Sequence, residues 1–191
     1  MPWGVPEYAN MVHEFMNKLG INKPHVIAHS FGGRVAIYLT SKYKDLFNKI
    51  VLVDAAGVKL RVSIKKKFKI ALFKCGKVVL KFATPKDKYE ERLNEYRKKF
   101  ASSDYGAIKS DVMRQTFSKV INLDLTKNLK EIKNSVLLMW GENDLDTPLY
   151  MAKIMEKNIS DSGLVVLKGA GHFSYIDASN EFNLIVDNFL S

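Results

Sequence analysis

Short apolar runs alternate along this chain with stretches of helical period. His25-Val26-Ile27-Ala28 follows Pro24 and reads as a strand. Ile50-Val51-Leu52-Val53 is a second, closed by Asp54 and Gly57; Ser135 to Trp140 is a third and Gly163 to Leu167 a fourth. These runs are too short for helices and almost free of polar positions, the pattern of strands buried on both faces. Between them the period lengthens. Glu7 to Leu19 puts Tyr8, Val12, Phe15, Met16 and Leu19 on one face and stops at Gly20. Gly32 to Tyr43 turns Val35, Ala36 and Leu39 inward, and helices begin near Pro148 and Tyr175. The alternation predicts an α/β fold: about four parallel strands, flanked by helices and joined by right-handed crossovers.

A long insertion, residues 58–134, separates the second and third strands and reads as helical throughout. It divides the chain into a core, 1–57 with 135–191, and a helical cap. In its first helix, Ile64, Phe68, Ala71, Leu72, Cys75, Val78, Val79 and Phe82 share one face, and Lys66, Lys69, Lys74, Lys77 and Lys81 fall on the other. Ile70, Phe73 and Leu80 interrupt that polar face and suit it to a second contact. Pro85 ends the helix. Residues 86–100 form a charged helix, and a third runs from Tyr105 to Val120.

Composition narrows the function. A chain of 191 residues with 47% hydrophobic and 11% aromatic residues can bury a core and is not a disordered type. One cysteine, Cys75, excludes an internal disulfide framework and a thiolate-built zinc site. No run is long and apolar enough to span a membrane, and no leader pattern stands at Met1, so a cytoplasmic setting is expected. The net charge of +10 suggests nucleic acid at first sight. The charge is local, however. Residues 59–99 hold 15 Lys and Arg against 4 Asp and Glu, while the rest of the chain holds 15 against 16. With no nucleic-acid motif on the basic segment, a nucleic-acid partner is not expected. The cap helix is expected to bury its apolar face and solvate its lysines. Adsorption to an anionic membrane is the less favoured alternative.

Three motifs carry chemistry. Ala28-His29-Ser30-Phe31-Gly32-Gly33 lies where the first strand turns into a helix. A serine on such a corner is held in a tight turn with its hydroxyl above the carboxyl ends of the strands. Ala28 replaces the glycine usual at the first position of G-x-S-x-G, and is still small. A serine hydroxyl needs a histidine base, and the base an orienting carboxylate. Trp140-Gly141-Glu142-Asn143-Asp144 follows the third strand, and Gly169-Ala170-Gly171-His172 the fourth. Ser30, Asp144 and His172 thus stand at three strand ends, where groups that act on ligands gather in open parallel sheets. Glu142 and Asp146 compete with Asp144. His29 is assigned to shaping the pocket; His13, His25 and Cys75 receive no role.

On these motifs, with Thr147-Pro148 and Phe173, the chain resembles the α/β-hydrolase superfamily, in its cap-bearing branch. The resemblance covers nearly the whole chain. It implies a carboxylesterase-like serine hydrolase: Ser30 as nucleophile, His172 as base, Asp144 as its orienting acid, and the Phe31 N–H as an oxyanion-hole donor, with His29 and Phe173 shaping the pocket. It implies an acyl substrate and no metal or cofactor. Carbon–carbon bond hydrolysis of a diketone is the alternative chemistry, and a non-catalytic interaction protein the alternative class.

One departure qualifies this. The family's second oxyanion donor comes from a His-Gly loop after its third strand, and its first four strands have no counterpart here. The first strand of this chain matches the family's fifth. It is therefore expected at an open sheet edge, where it could pair with another chain or a second copy. Loss of one oxyanion donor costs about 10²–10³ in rate, so the isolated chain is expected to be weak or inactive. A fragment of a longer protein and a reduced, inactive relative are both consistent with that.

Overall fold

The computed structural model describes residues 1–60, 64–100, 108 and 110–191. They form α1 (Val5–Lys18), β1 (Val26–His29), α2 (Phe31–Lys42), β2 (Ile50–Val53), α3 (Ile64–Ala83), α4 (Lys86–Phe100), α5 (Asp111–Asn122), β3 (Val136–Gly141), α6 (Tyr150–Asn158), β4 (Ser162–Leu167), α7 (Ser174–Asp177) and α8 (Ser179–Leu190). The four strands pair in parallel in the order β1-β2-β3-β4. The start of the helix expected from Tyr105 lies outside the described residues.

The chain divides into two compact units. One comprises Trp3–Lys59 and Lys119–Ser191, the other Met1–Pro2 and Leu60–Ser118.

In the first unit, alternate strand residues face opposite sides, as the pleat requires. Ile50, Leu52, Val136, Leu138 and Trp140 join Val35 and Leu39 of α2 and Met151 and Met155 of α6 in one core cluster. Val51, Val53, Leu137 and Met139 face the other side, with Phe182 and Val186 of α8. Both faces of β2 and β3 are therefore buried, which is why these strands read as unbroken apolar runs. Burying one Leu or Val side chain contributes about 1.5–3 kcal/mol, so this double layer sets the rigidity of the strand ends. Leu125, Leu129 and Ile132, read from the sequence as part of the insertion, are buried in the α2 and α6 cluster. Their segment is not regular helix but loop with a short 3-10 turn, Asn128–Glu131. The Arg34 guanidinium on α2 fastens it by donating to the Leu123 carbonyl at 2.6 Å.

Among the described residues nothing pairs with the outer edge of β1, as the sequence led us to expect. Ile27 is half exposed there. An apolar groove of about 330 Å³ follows that edge between α1 and α2, lined by Tyr8, Met11, Ile27, His29, Phe31 and Val35.

The second unit corrects the sequence reading of α3. The face expected to be buried is open to solvent: Phe68 is 70% exposed, Leu72 61%, Val79 64% and Phe82 85%. The helix packs through its other side. Phe73 stacks on Tyr96 of α4 with ring centroids 5.2 Å apart, and a Cβ at Gly76 would collide with the Tyr96 ring. Phe73, one of the residues that interrupt the lysine face, thus makes the contact, while Phe68, Leu72, Val79 and Phe82 of the regular apolar stripe stay exposed.

Candidate active site

Ser30 stands between β1 and α2 with φ 49° and ψ −112°, one of three non-glycine residues with positive φ among the described residues. Such a conformation costs about 1–3 kcal/mol and persists only where the surroundings enforce it. Here they do. Ser30 N–H donates to the Val53 carbonyl at 3.1 Å, and the Ser30 carbonyl accepts from Gly33 and Ala56 at 3.1 and 2.9 Å. A Cβ at Gly32 would lie 3.8 Å from that of Ala28, an ordinary contact, so alanine is accommodated where the usual motif has glycine. Phe31 opens α2, where the first N–H groups have no preceding turn to bond.

The three residues predicted from the sequence are brought together. His172 Nε2 is 3.0 Å from Ser30 Oγ. His172 Nδ1 is 2.9 Å from Asp144 Oδ2. The Asp144 side chain is fully buried and that of His172 only 14% exposed. Asp144 accepts further bonds from Asp146 N–H at 2.8 Å, Thr147 N–H at 2.9 Å and Thr147 Oγ1 at 2.6 Å. Burial pushes its carboxyl upward, but the bonds from His172, Thr147 and Asp146 outweigh it and hold the group below its usual range. Its competitors are placed elsewhere. Glu142 is exposed and accepts from Gly169 N–H at 3.0 Å. Asp146 is exposed. Asp144, Asp146 and His172 are also the one group with metal-ligand spacing among the described residues, yet Asp144 and His172 already hold each other.

His29 and Phe173 flank the serine and the histidine. The His29 ring lies 4.9 Å from that of His172 and 5.4 Å from that of Phe173. His29 Nε2 is 2.7 Å from the His172 carbonyl, so the residue before the serine ties down the loop that carries the histidine. His13 stacks on Tyr43, and His25 Nδ1 accepts from Lys49 N–H. Cys75 is exposed on α3.

The sequence reading missed Asp54. At the end of β2 it is completely buried, with φ 43°. Its Oδ1 accepts from Gly141 N–H at 2.7 Å. Its Oδ2 accepts from Ser174 N–H at 3.2 Å and from Ser174 Oγ at 2.5 Å. Its carbonyl lies 2.9 Å from Thr147 Oγ1. One carboxylate therefore joins the end of β3, which leads into the turn carrying Asp144, to the start of α7, which follows the turn carrying His172. Burial pushes its pKa up, against the pull of its Ser174 and Gly141 bonds. The available signal was a lone acid closing an apolar strand, which does not reveal what it touches.

Comparison with known proteins agrees with this picture. A family model described as alpha/beta hydrolase fold matches residues 2–179. The 2-hydroxy-6-oxo-6-phenylhexa-2,4-dienoate hydrolase of Comamonas testosteroni is 24% identical, covering 95% of this chain and 68% of its own length. The putative carbamate hydrolase RutD of Caulobacter sp. (strain K31) is 25% identical over 100% of this chain and 74% of its own length. An uncharacterised protein of Mycobacterium tuberculosis is 24% identical, and the chain spans 62% of it. Among solved structures, the esterase EaEST from Exiguobacterium antarcticum superposes with a TM-score of 0.70 at 20% identity, covering 99% of this chain and 74% of the esterase. The meta-cleavage product hydrolase CumD from Pseudomonas fluorescens IP01 gives 0.68 at 19% identity, covering 100% of this chain and 72% of that one. By the family model and these folds, the chain belongs to the α/β-hydrolase family.

Proposed function

We propose that this chain is a serine hydrolase that cleaves an ester or related acyl bond through an acyl-enzyme, and that as an isolated chain it turns over weakly because a single oxyanion donor, the Phe31 N–H, is identified. Ser30 Oγ attacks the acyl carbonyl carbon while its proton passes to His172 Nε2. Asp144 holds Nδ1–H and stabilises the imidazolium. Negative charge on the carbonyl oxygen is met by the Phe31 N–H at the start of α2, where the helix dipole adds to the donor. Collapse expels the leaving group, which takes the proton from His172. Water then repeats the sequence and frees the acid. The observation that carries this reading is the bonded series Ser30 Oγ, His172, Asp144 at 3.0 and 2.9 Å. The strained elbow that presents the serine supports it.

Hydrolysis of a carbon–carbon bond beside a ketone is the second reading, favoured by the dienoate hydrolase among the relatives. Both chemistries draw on the same three residues. Turnover of p-nitrophenyl esters and of a 2-hydroxy-6-oxo-dienoate by the purified chain tests them together. Ser30→Ala and His172→Ala should each lower kcat by about 10⁴ or more, and the larger kcat/KM names the bond. Activity that survives Ser30→Ala would overturn both readings.

A further inference from the structure

α3 combines two features that the proposed hydrolase chemistry does not use. Its apolar stripe, Phe68, Leu72, Cys75, Val79 and Phe82, recurs at alternating steps of four and three and so lies along one side of the helix. All five residues are exposed. Contiguous exposed apolar surface of this kind marks a docking site. The second feature is charge. α3 carries seven lysines and no acidic residue, and no Asp or Glu occurs anywhere in residues 55–86. Lys74 and Lys81 are exposed on the polar side of the helix. The opposite side of the helix is already engaged, through Phe73 and Gly76, by Tyr96 of α4.

We infer that α3 docks this chain on an anionic lipid surface, with Phe68, Leu72, Val79 and Phe82 entering the headgroup region and the positive charge of the helix drawing it to the lipid phosphates. The charge selects this occupant. A purely apolar partner would gain nothing from a run of lysines without acids, and a second copy would bring equal positive charge against it. A bilayer rich in anionic lipid satisfies both features, as it does for basic amphipathic helices that lie in the interface. Each lysine near such a surface adds about a fivefold factor in affinity at ordinary ionic strength. The attraction is lost when salt shortens the screening length to about 3 Å, near 1 M.

The test is sedimentation of the purified full chain with vesicles of phosphatidylcholine alone and of phosphatidylcholine mixed with phosphatidylglycerol. It needs no turnover, so it stands or falls separately from the hydrolase reading, and Ser30→Ala should sediment as the parent does. The chain is expected to pellet with the anionic vesicles, to stay in solution with the neutral ones, and to be released near 1 M salt. Phe68→Ser with Phe82→Ser should weaken binding about tenfold or more, and so should Lys74→Glu with Lys81→Glu. All four side chains are exposed, so both variants should keep the parent's circular dichroism spectrum. Absence of anionic-dependent pelleting would overturn the inference, as would pelleting that neither variant alters. A chain that fails to pellet but forms a dimer dissolved by Phe68→Ser and Phe82→Ser would assign the face to a second copy instead.

Discussion

At the residue scale, the catalytic geometry depends on a carboxylate outside the triad. Asp54 accepts three hydrogen bonds, one from Gly141, which leads into the turn after β3, and two from Ser174, just past the turn after β4. Asparagine has one acceptor oxygen. Its amide would set N–H against N–H on one of the two turns and let Asp144 and His172 drift apart. A displacement near 1 Å costs about 10² in rate, so Asp54→Asn should lower kcat about that much while KM for a small ester stays near the parent's. A loss confined to KM would contradict the positioning role. The two buried acids also respond oppositely to pH. The depressed Asp144 stabilises the fold above the usual carboxylate pKa of about 3.9, and that contribution is lost as pH falls through its folded value. The raised Asp54 binds its proton more tightly folded than unfolded, so it costs stability as pH rises from about 3.9 to its folded value. The parent's stability advantage over Asp54→Asn, followed by urea denaturation, should therefore shrink as pH rises from about 4. An advantage that grows would contradict the assignment.

At the element scale, the strands matter for where they stop. β3 ends at Gly141, where any side chain would overlap the Gly171 and Ala170 carbonyl oxygens of the turn that leads to His172. This glycine lets the turns after β3 and β4 lie against each other, with Asn143 N–H donating to the Ala170 carbonyl at 2.9 Å. Gly141→Ala must push those backbones apart. It should destabilise the chain by about 1–3 kcal/mol, the range for overpacking, and it should slow esterase turnover further than the stability loss explains. Unchanged turnover in a folded Gly141→Ala protein would show that this contact does not set the site. In α3, periodicity identifies an apolar stripe, but only packing decides which side meets a neighbour.

At the scale of the whole molecule, what was legible in the sequence is what repeats or sits at a strand end. β2 and β3 were visible as apolar runs because both of their faces are buried, and the partly exposed β1 and β4 were visible as short apolar runs too. Ser30, Asp144 and His172 were visible because the fold collects such groups at strand ends in a fixed chain order. Asp54 was not, because its importance lies in contacts to Gly141 and Ser174, 87 and 120 residues away. Nor was the placement of Leu125, Leu129 and Ile132 in the sheet unit, since a short apolar series gives no sign of the core it joins. The basic segment changes meaning in the same way. Its charge was plain from composition, while the exposure of the stripe beside it emerges only from the fold.

If Ser30 is a nucleophile activated by His172, it is open to covalent capture. The purified chain is treated with a fluorophosphonate and the adduct located by mass spectrometry. One adduct is expected, on the peptide containing Ser30, formed far more slowly in His172→Ala and absent in Ser30→Ala. An unlabelled parent chain, or an adduct that persists in Ser30→Ala, would contradict that role.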